Sequence, residues 1–236
     1  MRFFKTAILL ISISVISANT AFSQTKTNKN TNISNADISL GLKEALKVGV
    51  KNAVFDLGRE NGYLGNAQVK IPLPKNLQKV EKTLRFAGQG KKVDEFVEAM
   101  NRAAEKAVPV AIDIFTDSIL QMTFSDARQI LFSGQDDAAT QFFRRTSGDK
   151  LRVKFRPIVE DFTGKVGVTQ KYKEMLGKNS LIGTFAGKDA QDLDGYITEK
   201  ALDGLFLMVA REEQKIRRDP VGRTTSVLKK VFGALR

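Results

Sequence analysis

Between Asp192 and Pro220 the chain reads DLDGYITEKALDGLFLMVAREEQKIRRDP, and this stretch restricts the fold more than any other. Leu202, Leu205, Phe206, Val209 and Ile216 recur at helical spacing, while Leu207, Met208 and Ala210 make the middle of the helix apolar on its other side as well. A helix that is apolar nearly all round is normally buried among others. Asp194-Gly195 reads as a turn, Thr198 as the cap of the following helix, and Pro220 as its stop. Gly204 removes a side chain where a neighbour could approach. Charges crowd the far end, at Arg211, Glu212, Glu213, Lys215, Arg217 and Arg218.

The rest of the chain supplies partners for such a helix. Leu42, Leu46, Val50, Ala53 and Leu57 mark a first helix ending near Gly58 or Gly62. Tyr63 to Pro74 breaks the helical pattern. Its two prolines and the alternating Val69-Lys70-Ile71 predict an extended segment crossing the surface, the one place where a very short strand is allowed, between Val69 and Pro74. Leu77, Val80, Leu84 and Ala87 then form a short helix capped by Gly88. From Val93 to Ile119 the helical phase survives Pro109, which predicts a kink rather than a break. Thr123 and Asp126 match a capping box for a helix running to Phe132 and stopped at Gly134. Asp136 or Asp137 starts another, carrying Phe142 and Phe143 and ending at Arg144-Arg145. A further one follows with Leu151, Phe155, Ile158, Phe162 and Val166, and with Pro157 inside it. A short helix at 169–176 and an amphipathic basic one at 225–235 complete an all-α, multi-helix bundle of about eight helices. Residues 36–236 show no linker and no internal repeat, so they read as one domain.

Ahead of that domain lie two segments of another kind. Arg2 and Lys5 precede the apolar run from Thr6 to Ile16, and Ala21 and Ser23 provide the small residues of a cleavage site before Gln24. Residues 1–23 therefore read as a signal peptide, with no transmembrane span left after its removal, because the apolar run is too short to cross a bilayer. Residues 24–35, QTKTNKNTNISN, read as a disordered lead-in with almost nothing to bury. The expected product is exported, and periplasmic where the source has two membranes. Export argues against nucleic acid as a partner, even though the formal net charge is +12.

Several segments, QVKIPLPKNLQKVEKTLR, EAMNRAAEKAVP, DAATQFFRRTS, the 192–220 stretch with the following Val-Gly, and VLKKVFGAL, together resemble the bacterial exported domain-of-unknown-function family numbered 4197. The resemblance runs from about Leu40 to the C-terminus. It implies an exported helical domain with no established activity, ligand or catalytic residues, so it transfers no site to this chain.

Chemical candidates stand on their own residues. The chain has no cysteine and no histidine, which removes thiolate chemistry, the commonest metal ligand and the usual general base. A metal site would be built from oxygens, calcium or magnesium before zinc or iron. Asp192, Asp194 and Gly195 fall on positions three, five and six of a calcium loop, but Ala190 and Ala201 stand where the pattern needs carboxylates. A turn and helix cap fit these residues better. Ser147-Gly-Asp-Lys150 matches a Ser-x-x-Lys pattern, as does Ser226-Val-Leu-Lys229, without the companion motifs. Gly88-Gln-Gly90-Lys91-Lys92 follows a helix, not a strand, and lacks phosphate-loop spacing. Asp113 with Asp117, one helical turn apart, and the neighbours Glu160-Asp161 and Glu212-Glu213 are paired carboxylates of the kind that usually match nearby cations. No cofactor is expected.

Arginine and lysine remain the better leads. Arg144, Arg145, Arg152 and Arg156 form a basic group able to hold an anion through charge-assisted bonds. Arg217 and Arg218 precede a C-terminal helix whose apolar face is Val227, Leu228, Val231, Phe232 and Leu235, with Lys229 and Lys230 beside it. Such a helix docks on the bundle or lies on an anionic membrane. The expected function is a non-catalytic interaction module of the cell envelope, facing an anionic lipid, surface or protein partner. The alternative is an envelope enzyme using carboxylates and arginine, with a divalent cation as an option. With no histidine, cysteine or nucleophile motif, the balance leans away from an enzyme.

Overall fold

The computed structural model describes residues 35–167 and 192–218. These are mostly helical and contain no strand: α1 (Asn35–Gly58), α2 (Gln78–Phe86), α3 (Gly90–Ala107), α4 (Ala111–Gln121), α5 (Phe124–Phe132), α6 (Ala138–Lys165) and α7 (Leu193–Arg218). The expected signal peptide at 1–23, the lead-in short of Asn35, and the helices at 169–176 and 225–235 lie outside the described residues.

α7 is the element the others surround. It packs on α6 most extensively, then on α1 and α3. Its buried set runs from Ile197 through Leu202, Leu205, Phe206 and Val209 to Ile216, which covers more than one face. α1 lies antiparallel to it: Ala45 packs on Ile216, and Asn52 donates to the Glu212 carboxylate at 3.1 Å. Gly49 lets the two approach, since a Cβ there would sit 3.2 Å from Cδ1 of Ile216. The core between α4, α6 and α7 is aromatic. Phe115 and Phe143 have ring centroids 4.9 Å apart, and Phe206 meets Phe115 edge-on at 6.0 Å.

Three sequence expectations need correction. α7 begins at Leu193, so Asp194-Gly195 lies in its first turn and Thr198 inside it. The cap is Asp192, whose carboxylate accepts the Gly195 N–H at 2.9 Å, while Thr198 donates to the Asp194 carbonyl at 2.7 Å. The two helices expected on either side of Ser147-Gly148 are one, α6. Phe143, Ser147, Leu151, Phe155, Val159 and Thr163 are all buried at a spacing of four, and Ser147 stays in that seam because its hydroxyl meets that of Ser118 at 2.6 Å. Pro157 sits on the exposed side of the same helix.

The segment from Tyr63 to Pro74 is the third correction. It does not skim the surface, because Tyr63, Val69, Ile71 and Leu73 are buried. Its backbone bonds go to turns around Asn66 and to side chains instead of a strand. Asn101 of α3 accepts the Ile71 N–H at 2.8 Å and donates to the Ile71 carbonyl at 2.9 Å. Glu105, one turn on, accepts the N–H groups of Tyr63 and Leu64 at 3.1 and 3.2 Å. Two polar side chains on one face of α3 thus satisfy buried backbone that a sheet would otherwise have to satisfy.

Elsewhere the local signals hold. A 3₁₀ turn at Val108–Val110 carries Pro109 and joins α3 to α4 without losing phase. Thr123 and Asp126 form a reciprocal capping box, and α5 turns off the preceding helical rod by 103°. Gly88 and Gly134 take φ of +75° and +70°, left-handed values that terminate α2 and the α5 region.

Candidate functional site

Arg152 and Arg156 leave α6 one turn apart and face the first turns of α7. With Asp192, Tyr196, Glu199 and Lys200 they line an open cleft of about 470 Å³. Arg156 grips Asp192 with both terminal nitrogens at 3.0 Å and donates from Nε to Glu160 at 2.8 Å. Arg152 reaches Glu199 through Nε at 2.5 Å and Nη2 at 3.2 Å, and Asp149 at 2.8 Å. Gly195 lies close beneath them. A Cβ there would lie 2.4 Å from Oδ2 of Asp192, so any larger residue would push that carboxylate from its place over the helix start.

These bonds set the charge states. The Gly195 N–H, and after it the Arg156 guanidinium, hold the Asp192 carboxyl below its usual range. Hydrogen bonding to Glu199 raises Arg152, and bonding to Glu160 and then Asp192 raises Arg156. Every guanidinium nitrogen that could greet an anion already has a carboxylate. The cleft clamps α7 onto α6 as a matched strip of charge. Each pair is about half exposed and so contributes little individually.

The other candidate residues are dispersed. Arg144 lies 4.4 Å over the Phe206 ring and Arg145 5.8 Å from that of Phe142, so these two close over the aromatic core outside the cleft. Arg217 donates to the Ile130 carbonyl at 2.9 Å and to Glu213 at 2.8 Å, and Arg218 is exposed at the end of α7. Lys229 and Lys230 lie outside the described residues. Asp192 and Asp194 diverge, the second accepting from the Thr163 hydroxyl at 2.7 Å. Asp113 and Asp117 point to solvent from α4. Among the described residues no cluster of three or more acidic groups is arranged to hold a metal.

Glu213 is the group that the sequence concealed. It is buried, and its two oxygens accept the Ala139 and Thr140 N–H groups and the Thr140 hydroxyl, each at 2.9 Å. A carboxylate from α7 therefore caps α6, whose neighbouring Asp137 makes no side-chain cap. Arg217 holds that carboxylate in place while also satisfying the C-terminal end of α5. Reading the apolar stripe Leu205, Val209, Ile216 forward would have placed Glu212 and Glu213 on the inner face.

The whole described unit, from α1 to the end of α7, falls inside the match to a family described as a protein of unknown function (DUF4197), which covers residues 32–233. This chain belongs to that family. The DUF4197 match spans the segments on which the sequence resemblance rests, except the last two residues of VLKKVFGAL. No curated protein and no solved structure matches the chain. Among the described residues of this DUF4197 protein, no single helix is long and apolar enough to cross a membrane.

Proposed function

We propose that this protein is a non-catalytic interaction module of the cell envelope that binds an anionic lipid surface through exposed lysines. The observation that carries the reading is a set of exposed lysines that stand without ion-pair partners while the arginines of the α6–α7 seam are engaged. Arginines 102, 152, 156 and 217 are engaged with carboxylates or backbone carbonyls, and Arg144 with a ring. Lys51, Lys82, Lys92, Lys150 and Lys154 are exposed with no ion-pair partner among the described residues. Exposed, flexible ammonium groups suit the diffuse, salt-sensitive attraction of a membrane surface. The C-terminal stretch, with Arg223, Lys229, Lys230 and Arg236 against Asp219, adds charge of the same sign.

The enzyme alternative would use the α6–α7 cleft, where arginine and carboxylate converge. There each group is neutralised by its neighbour, which favours a structural clamp over a reaction centre. Affinity capture of the protein from its own envelope, with mass spectrometry of lipids and proteins, tests the proposal. Enrichment of anionic lipid supports it. A stoichiometric small-molecule metabolite in place of lipid would favour the enzyme.

A further inference from the structure

One large apolar side chain stands almost free in solvent beside a run of lysines. Between Lys70 and Lys92 the sequence holds Lys70, Lys75, Lys79, Lys82, Lys91 and Lys92, together with Arg85, against the single carboxylate Glu81. This run forms α2, its approach and the turn into α3. At the tip is Phe86, which is 96% exposed, more than any other large hydrophobic residue described.

The tip is well built despite its exposure. Leu77 is fully buried and anchors the base of α2, with Leu84 packed against the core. Arg85 donates to Glu81 at 2.9 Å and to Asp94 of α3 at 2.6 Å, tying the two helices together. Gly88 at φ +75° and the Gln89 N–H bonded to the Leu84 carbonyl at 2.8 Å fix the turn. Phe86 therefore projects from a fixed position. Lys82, one turn back on the same face, and Lys92, in the first turn of α3, have no ion-pair partner among the described residues. Lys91 is 90% exposed and reaches Glu95 only at 4.0 Å.

We infer that this α2–α3 corner is the part of the protein that enters the membrane interface, with Phe86 buried among acyl chains and Lys82, Lys91 and Lys92 on lipid phosphates. The inference rests on the anionic-lipid reading above and names the surface responsible. An isolated phenyl ring in water loses favourable free energy that an acyl environment returns. Lysines around it can keep their stems along the apolar region and their ammonium groups at the headgroups. A protein partner would instead need a complementary acidic pocket for the ring.

The chain contains no tryptophan, so Phe86→Trp introduces a single local reporter at an exposed position. The probe is a vesicle of phosphatidylglycerol and phosphatidylethanolamine, compared with one of phosphatidylcholine, and the protein is used as its producing cell leaves it. Emission from position 86 should shift to the blue and be quenched by brominated acyl chains on the anionic vesicles only. Phe55→Trp, on an α1 residue 71% exposed, should stay in water. Phe86→Ser should weaken vesicle binding by about tenfold, and Lys82→Gln and Lys92→Gln by about fivefold each. If the protein pellets with anionic vesicles while the indole at 86 stays in water, the lipid reading survives and this surface is wrong. If nothing pellets at low salt, both are wrong. A blue shift with envelope protein extract but not with vesicles would replace the membrane by a protein partner and overturn the inference.

Discussion

Gly204→Ala is the substitution whose sign is set most sharply by the packing of α7. In an open helix interior, alanine in place of glycine stabilises by about 0.5–1 kcal/mol through backbone entropy. Here the added Cβ would lie 2.7 Å from Cε1 of Tyr63 and 3.1 Å from Cβ of Val69. Tyr63 cannot easily retreat. Its ring is fully buried, its hydroxyl donates to the Ala201 carbonyl at 2.6 Å, and its N–H is held by Glu105. Overpacking of this kind costs about 1–3 kcal/mol, so the clash exceeds the propensity gain and the net loss is about 1–2 kcal/mol. For a chain of this length that lowers the Tm by roughly 2–8 °C. Thermal unfolding followed by circular dichroism, with urea titration to check that the m-value is unchanged, measures it. Tyr63→Leu removes the ring edge, so in that background the same glycine change should cost less. A Tm that rises in Gly204→Ala would refute the close packing of Tyr63 in the notch of α7.

Three further outcomes follow from the same contacts. Glu213→Ala should destabilise by about 3–5 kcal/mol, because it strands the Ala139 and Thr140 N–H groups and leaves Arg217 without its partner; Glu213→Gln, measured alongside by urea unfolding, should lose less. Burial first, and the Glu105 carboxylate second, push the Tyr63 phenol well above its ordinary value of 10.0. The folded state thus holds that proton more tightly, so the contribution is intact below about pH 10 and is lost as pH rises further; alkaline melting should be steeper for the wild type than for Tyr63→Phe. Chelator should leave the Tm unchanged, since Asp192 and Asp194 are held by Arg156 and Thr163, and a rise of several degrees with calcium would overturn that assignment.

What was legible in the sequence was whatever depends on neighbours along the chain. Periodicity gives the helices and their phase across Pro109, Thr123 and Asp126 their capping box, and Gly204 its close approach. What was hidden depends on distant partners. Ser147-Gly148 looks like a break until the Ser118 hydroxyl is known to meet it. Val69 to Leu73 looks like a strand because its alternation is real, yet the Ile71 backbone pairs with the Asn101 side chain, which no local pattern connects to it. The arginines were visible as charge and not as bonds. Arg156 and Asp192 lie 36 residues apart in sequence, so their mutual neutralisation, and with it the clamp at the head of α7, emerges only in the folded chain.

Binding to anionic lipid is the heart of the proposed function, and vesicle sedimentation across a salt series tests it. With vesicles containing phosphatidylglycerol, the protein should pellet at low salt and be released as ionic strength shortens the screening length to about 8 Å near physiological salt and below. Phosphatidylcholine vesicles should retain little at any salt. Equal binding to the two lipids at low salt would contradict the proposal.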